Sequence, residues 1–223
     1  MRPRWRRPQA GAALGFLAVL AAMATSAWHL WPVASANALA MQPLARVRAW
    51  QAPRAQPPST AQWLQTRAAL ARALDRAPGS AELQEAMAYL YLSAALRPGQ
   101  SPTLQVPYLN QALLHLAQAI QARPMVPSAW ANRALALHRL AQLRPEQAPG
   151  HLALLWPAVD RALAYGAREA GVQQTLGAVL FERWGELGGP RLQAVQQLYA
   201  QATPAQRRAL QALARHHRVA LAP

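Results

Sequence analysis

Three stretches of the chain superimpose, and their reading decides the fold: residues 73–88 (ALDRAPGSAELQEAMA), 119–136 (AIQARPMVPSAWANRALA) and 162–177 (ALAYGAREAGVQQTLG). Each closes a helical pattern with Ala plus an aliphatic residue, at Ala73-Leu74, Ala119-Ile120 and Ala162-Leu163. Each breaks briefly and reopens a helix with Ala81, Ala129 or Ala170. Five residues on stand Ala86, Ala134 and Thr175, then Met87, Leu135 and Leu176, then the small residues Ala88, Ala136 and Gly177. A small residue lets a neighbouring helix approach, and the aliphatic beside it fills the groove. Stacked helix pairs of this kind bury a continuous core that no single pair can bury.

Outward from these stretches, apolar residues keep a period near 3.6, and no sustained strand alternation occurs. The expected class is all-α. Helices are expected over about 61–77 behind a Ser59/Gln62 capping box, from Ser80, through Leu109–Ile120, from a Ser128 cap, over about 152–165, around Val172–Trp184, over 191–201 and over 204–221. Pro98–Pro107 and Arg144–Gly150 read as loops inside repeats, and Gly166 reads as a C-cap. Thr203, Pro204 and Gln206 read as cap, first-turn Pro and reciprocal Gln.

The N-terminus reads differently. Arg2, Arg4, Arg6 and Arg7 precede a stretch, 10–31, with no charged residue. It holds Leu14, Phe16, Leu17 and Leu20 and ends in Trp28 and Trp31, rings suited to a headgroup layer. About 20 apolar residues cross a bilayer. The expected layout is a cytoplasmic basic tail over 1–9, a transmembrane helix over 10–31 stopped by Pro32, a Pro-rich extended spacer over 32–60, and a helical domain over 61–222. The basic tail keeps the N-terminus inside and sends the rest across the inner membrane, into the periplasm. The competing reading is a signal peptide cleaved near Ala36 or Ala40, giving a released adaptor.

Composition excludes several classes. The 223 residues carry no Cys, so disulfides, zinc–thiolate sites and thiol catalysis are out. Net charge is +15 from 23 Lys+Arg against 8 Asp+Glu, every cation an Arg. These arginines are spread over several helices, which favours an anionic surface or solvation over nucleic acid. No His-Glu-x-x-His spacing, phosphate loop or Gly-x-Ser-x-Gly elbow appears, so no metal, cofactor or catalytic residue is assigned. His115 and His138 are expected at helix surfaces, and Glu182 and Glu186 on an exposed helix face. Counting three and six residues back from the small contact residues places Glu85, Arg133, Gln174 and Trp130 in a partner-binding strip, with Trp130 equally readable as core.

The hairpin pattern resembles the tetratricopeptide repeat: Leu176-Gly177 fits its small-contact pair, and Pro78 and Pro124 fall at its terminating proline. The spacings of 48 (Ala88 to Ala136) and 41 (Ala136 to Gly177) exceed its usual repeat length, the excess lying in the two loops. The layout also resembles the VpsP-type proteins associated with exopolysaccharide biosynthesis. The similarity lies in Arg123-Pro124 before Ser128-Ala129-Trp130-Ala131-Asn132, in Asp160-Arg161-Ala162-Leu163, in Val172-Gln173-Gln174 leading to Trp184, and in the tail Ala214-Arg215-His216-His217-Arg218. The resemblance implies a non-catalytic scaffold supporting polysaccharide synthesis or export, with envelope proteins as partners. A glycan-modifying periplasmic enzyme is the alternative.

Overall fold

The computed structural model describes residues 10–52 and 55–221, and side chains before residue 38 only at 15–26, 28, 31 and 35. The basic tail 1–9, the side chain of Leu14 and Pro53 lie outside the described residues. Those described form nine α-helices and two short 3-10 segments, with no strand. The class is all-α.

Helix α1 (Ala10–Gln51) is far longer than the sequence suggested. The expected stop at Pro32 and the extended spacer after it are corrected: the backbone stays helical through Pro32 and Pro43 to Gln51. A proline inside a helix costs roughly 3 kcal/mol. Packing offsets that cost at Pro43. Ala40, Pro43 and Val47 are buried, while Leu44 and Trp50 pack on the same core. This is the i, i+3, i+4, i+7 stripe of an amphipathic helix. Tyr89 also donates its hydroxyl to the Trp50 carbonyl at 2.9 Å. Among the described residues no helix is long and apolar enough to cross a membrane. The described side chains at the other end of α1 are nonetheless bare: Phe16, Leu17, Leu20, Trp28 and Trp31 are all exposed, Trp28 to 80%.

The remaining helices are α2 (Thr60–Arg76), α3 (Ala81–Ala95), α4 (Pro102–Ala122), α5 (Pro127–Leu143), α6 (Ala148–Gly166), α7 (Ala170–Glu182), α8 (Gly189–Gln201) and α9 (Pro204–His216). The capping boxes of Ser59/Gln62 and Thr203/Gln206 form as read, satisfying backbone donors at both N-termini. Ser80 caps α3. Ser128 does not cap α5: Val126 is the cap residue, Pro127 occupies the first turn, and the Ser128 hydroxyl donates to Glu85 instead. The loop expected over Pro98–Pro107 is shorter, because Pro102 starts α4 and Pro107 is absorbed into it. Proline fits a first turn, where its missing N–H costs nothing.

Packing follows chain order as far as α7, which packs on α9 rather than on α8. Helix α1 packs on α2 and α3, α3 on α4, α4 on α5, α5 on α6 and α7, and α7 on α9. Two apolar clusters result, one over α1–α5 and one over α5–α9. Helix α5 belongs to both: Ala129, Ala136 and Leu140 face the first, Ala131, Ala134 and Leu137 the second. Fully buried leucines such as Leu70, Leu90, Leu109 and Leu155 anchor them, each worth about 1.5–3 kcal/mol.

The small residues do what their spacing suggested. Ala88 and Ala136 have no exposed surface. A Cβ on Gly177 would sit 2.9 Å from Leu213 Cδ2, so its absence admits α9. Gly166 is not a left-handed cap but the last residue of α6. A Cβ there would lie 2.4 Å from the Pro127 ring, so its bareness lets the α5–α6 hairpin close.

Candidate functional site

A groove lined by six polar side chains runs beside α5 and α7. Its volume is about 310 Å³, and its walls include Arg97, Gln105, Leu135, Arg139, Ala178 and Glu182. Its floor is a hydrogen-bond chain built from three helices. Gln105 of α4 accepts from Arg139 of α5 at 3.2 Å, and Arg139 also donates to Gln142 at 2.9 Å. Gln142 donates to Glu182 of α7. Glu182 in turn meets His138 Nε2 at 2.9 Å.

His138 is the centre of this chain and is only 4% exposed. Its surface position, expected from sequence, is therefore corrected. Arg183 donates Nε–H to His138 Nδ1 at 2.8 Å. An arginine has no acceptor, so Nδ1 must hold a lone pair, and Nε2 carries the proton given to Glu182. Burial holds the His138 pKa below its ordinary value, with the Arg183 and Arg139 charges acting the same way and Glu182 opposing. For Glu182, burial works upward, but the hydrogen bonds from His138 and Gln142 and nearby imidazole charge bring it below the usual range. Glu182 and Glu186 do not act as a pair. Glu186 instead holds Arg183 bidentately at 2.7 and 2.9 Å, so Arg183 links His138 to a second carboxylate.

Chemically the arrangement is a clasp. Both imidazole nitrogens are engaged, and each Glu182 oxygen has a partner. The imidazole thus has no free lone pair, while Glu182, its side chain 44% exposed, keeps spare acceptor capacity toward the groove. Among the described residues no cluster of three or more His, Asp or Glu has the makings of a metal site. His115 is half-buried, with Nδ1 2.7 Å from Gln84 Oε1 and its ring stacked on Tyr91, centroids 5.6 Å apart.

The four residues expected to bind a partner sit on three helices, α3, α5 and α7. Glu85 is tied to Arg123 at 2.7 Å and to Ser128 at 3.2 Å. Trp130 packs against the second cluster and donates its indole N–H to the Pro124 carbonyl at 2.7 Å. Arg133 is half-buried beside it. Gln174 is exposed and lines an apolar slot of about 230 Å³ with Ala170, Ala209 and Leu213, between α7 and α9. The groove residues His138, Arg139 and Glu182 were missed. The signal was present: His138 falls on the row Ala134-His138-Ala141, at steps of 4 and 3, whose alanines are buried. No protein-family profile, curated protein or solved structure matches the chain.

Proposed function

We propose that this chain is a membrane-anchored, tetratricopeptide-like scaffold that holds envelope proteins together, with its helical body on the periplasmic side of the inner membrane. The observation that carries the reading is the division of α1. One end is buried in the body through Ala40 and Val47, and the other presents exposed Phe16, Leu17, Leu20, Trp28 and Trp31 to no protein neighbour. Exposed aliphatic and aromatic side chains in one run mark a surface made for a partner or a lipid phase. The uncharged stretch 10–31 supplies the length, and the arginines before it supply the orientation. At 1.5 Å per residue, the 42 residues of α1 reach roughly 63 Å, about twice a hydrocarbon core. The body is then mounted on its anchor by helix, not hung from a loose spacer.

The hairpin packing of α3–α4 and α5–α6 supports the repeat reading, while α7 packs on α9 rather than on α8. The groove along α5 and α7 ties three helices together through hydrogen bonds, which supports its reading as a contact surface. The likeness to exopolysaccharide accessory proteins makes polysaccharide machinery the expected partner. The test is fractionation with a functional readout. The full chain should stay with membranes after an alkaline wash, and a chain starting at residue 38 should not. Deletion should abolish surface polymer, restored by the full chain and not by the shortened one. Recovery of a shortened, soluble chain from cells expressing the full one would instead establish the released adaptor.

A further inference from the structure

A cleft of about 340 Å³ separates α6 from α8 and shares no lining residue with the groove beside α5 and α7. Ala164 and Ala167 line one wall, and Ala194 lines the other. Methyl side chains are too short to close the gap, and longer ones span its two ends. Arg191 of α8 grips Asp160 of α6 at 2.8 Å through two nitrogens, and Arg168, just after α6, reaches Gln201 at 3.4 Å. From Arg191 to Gln201, α8 rises roughly 15 Å.

Gln173 of α7 completes the lining and is 4% exposed. Its Nε2 donates to the Ala167 carbonyl at 2.8 Å, which turns its Oε1 the other way. That oxygen is buried and has no hydrogen-bond partner among the described residues. A buried acceptor in this state is unfavourable until a donor reaches it. Charge does not select the donor. Asp160 and Arg191 neutralise each other, and Arg168 is exposed to solvent. Glu169, the remaining charge of this corner, lies against Gly166 on the Pro127 side.

We infer that the α6–α8 cleft receives an extended peptide segment of a partner protein, one backbone N–H of which donates to Gln173 Oε1. Spread over the cleft's length, its volume gives a cross-section of about 23 Å², roughly 5 Å across. That is close to the ~4.7–4.9 Å width of one extended chain and well below the ~10–12 Å of a helix. Gln197 and Gln201 stand one turn apart on the same wall, about 6 Å. An extended chain repeats its backbone groups on one side every ~6.6–6.8 Å. Each glutamine amide both donates and accepts, as a peptide group does. Leu163 and Leu198 offer apolar contact to alternate side chains. A sugar also carries donors, but its C–H faces stack best on an open aromatic ring. No aromatic residue lines the cleft, and the Trp156 ring is covered by Arg191, 4.8 Å from its centroid. The cleft adds a second contact surface to the scaffold and rests on that reading only for the partner's being a protein.

The test follows glutamine side-chain amide resonances in the full, isotope-labelled chain in neutral detergent, titrated with the peptide Ac-Ser-Val-Ser-Val-Ser-amide. Gln173, Gln197 and Gln201 should shift and saturate at millimolar peptide, and exposed Gln121 should not. Two ester analogues replace the N–H by oxygen, one at both valines, the other at the three serines. Whichever removes the donor to Gln173 should bind about tenfold or more weakly than the parent peptide. Gln173→Met should erase that difference. Should the variant not fold, peptide against ester in the unaltered chain still decides. No saturation at Gln173, or equal binding of the peptide and both esters, overturns the inference. So does saturation by maltohexaose in place of the peptide. Loss of membrane retention would refute the anchor and leave this titration untouched.

Discussion

Acid should loosen this protein through His138, and the size of the effect follows from its surroundings. The imidazole is held neutral, with Nδ1 receiving Arg183 and Nε2 giving to Glu182. A second proton on Nδ1 would face the Arg183 Nε–H head-on, inside a site with only 4% of His138 exposed. The folded-state pKa is below the ordinary value of about 6.5, so the unfolded chain binds the proton first. The stabilisation is then complete above pH ~6.5 and is lost as pH falls through the folded pKa. Across that window one proton costs about 1.4 kcal/mol per pH unit. His115, also lowered by burial, adds a slope of the same sign. Replacing His138 by Gln removes only its own share. The assay is equilibrium urea unfolding of the full chain in detergent at pH 7.5, 6.5 and 5.5, followed by Trp fluorescence. His138→Gln should be less stable than the wild type at pH 7.5 by about 1–3 kcal/mol, since Arg183 and Glu182 lose shared bonds. The gap should narrow toward pH 5.5, by up to about 1.4 kcal/mol per unit. A gap that stays constant or widens in acid would refute the assigned tautomer and the neutral state.

The two contact glycines should respond differently to alanine. Gly166→Ala presses a methyl group against the Pro127 ring, 2.4 Å away and unable to rotate aside, and should cost about 1–3 kcal/mol in thermal or urea unfolding. Gly177→Ala meets the far end of Leu213 at 2.9 Å, and the gain in helix propensity, about 1 kcal/mol, should leave it within about 1 kcal/mol of wild type. Ala136→Leu forces bulk into a fully buried contact between helices and should destabilise by about 1–3 kcal/mol by the same measurement. Asp160→Asn breaks the bidentate grip of Arg191, but Asp160 is half exposed, so unfolding should shift by no more than about 1 kcal/mol.

The helical class and the repeated small contacts were legible because they depend on local period and residue size. Ala88, Ala136 and Gly177 are buried where their spacing put them. Helix boundaries at proline were less legible. Pro32, Pro43 and Pro107 read as stops or as parts of a spacer or loop, yet each lies within a helix. Local propensity counts the lost hydrogen bond but not the tertiary burial that outweighs it. At Pro43 the compensating stripe Ala40-Pro43-Leu44-Val47-Trp50 was visible, but the surrounding prolines suggested a spacer. The N-terminal apolar run was legible as hydrophobic; that it continues as one helix into the body was not, because that depends on α2 and α3 packing against it.

The candidate site shows why a repeat can reveal an architecture without fixing which flank of a helix stays open. Three residues back from a buried contact is a rotation of about 60°, and six back about 120°. From Ala136 those steps reach half-buried Arg133 and then Trp130, which packs on the second core cluster. The groove side of α5 carries Leu135, Arg139 and Gln142 instead. The identity of the contact residue sets the depth of packing, but only the neighbouring helices set which flank remains open. Helix α7 closes one flank of α5 through a polar chain, His138 to Glu182, whose members lie 44 residues apart and share no motif. Such a chain leaves no spacing in the sequence to read. Its signature is a single polar residue on an otherwise alanine-lined row, and that is the feature to look for when helices are this rich in small residues.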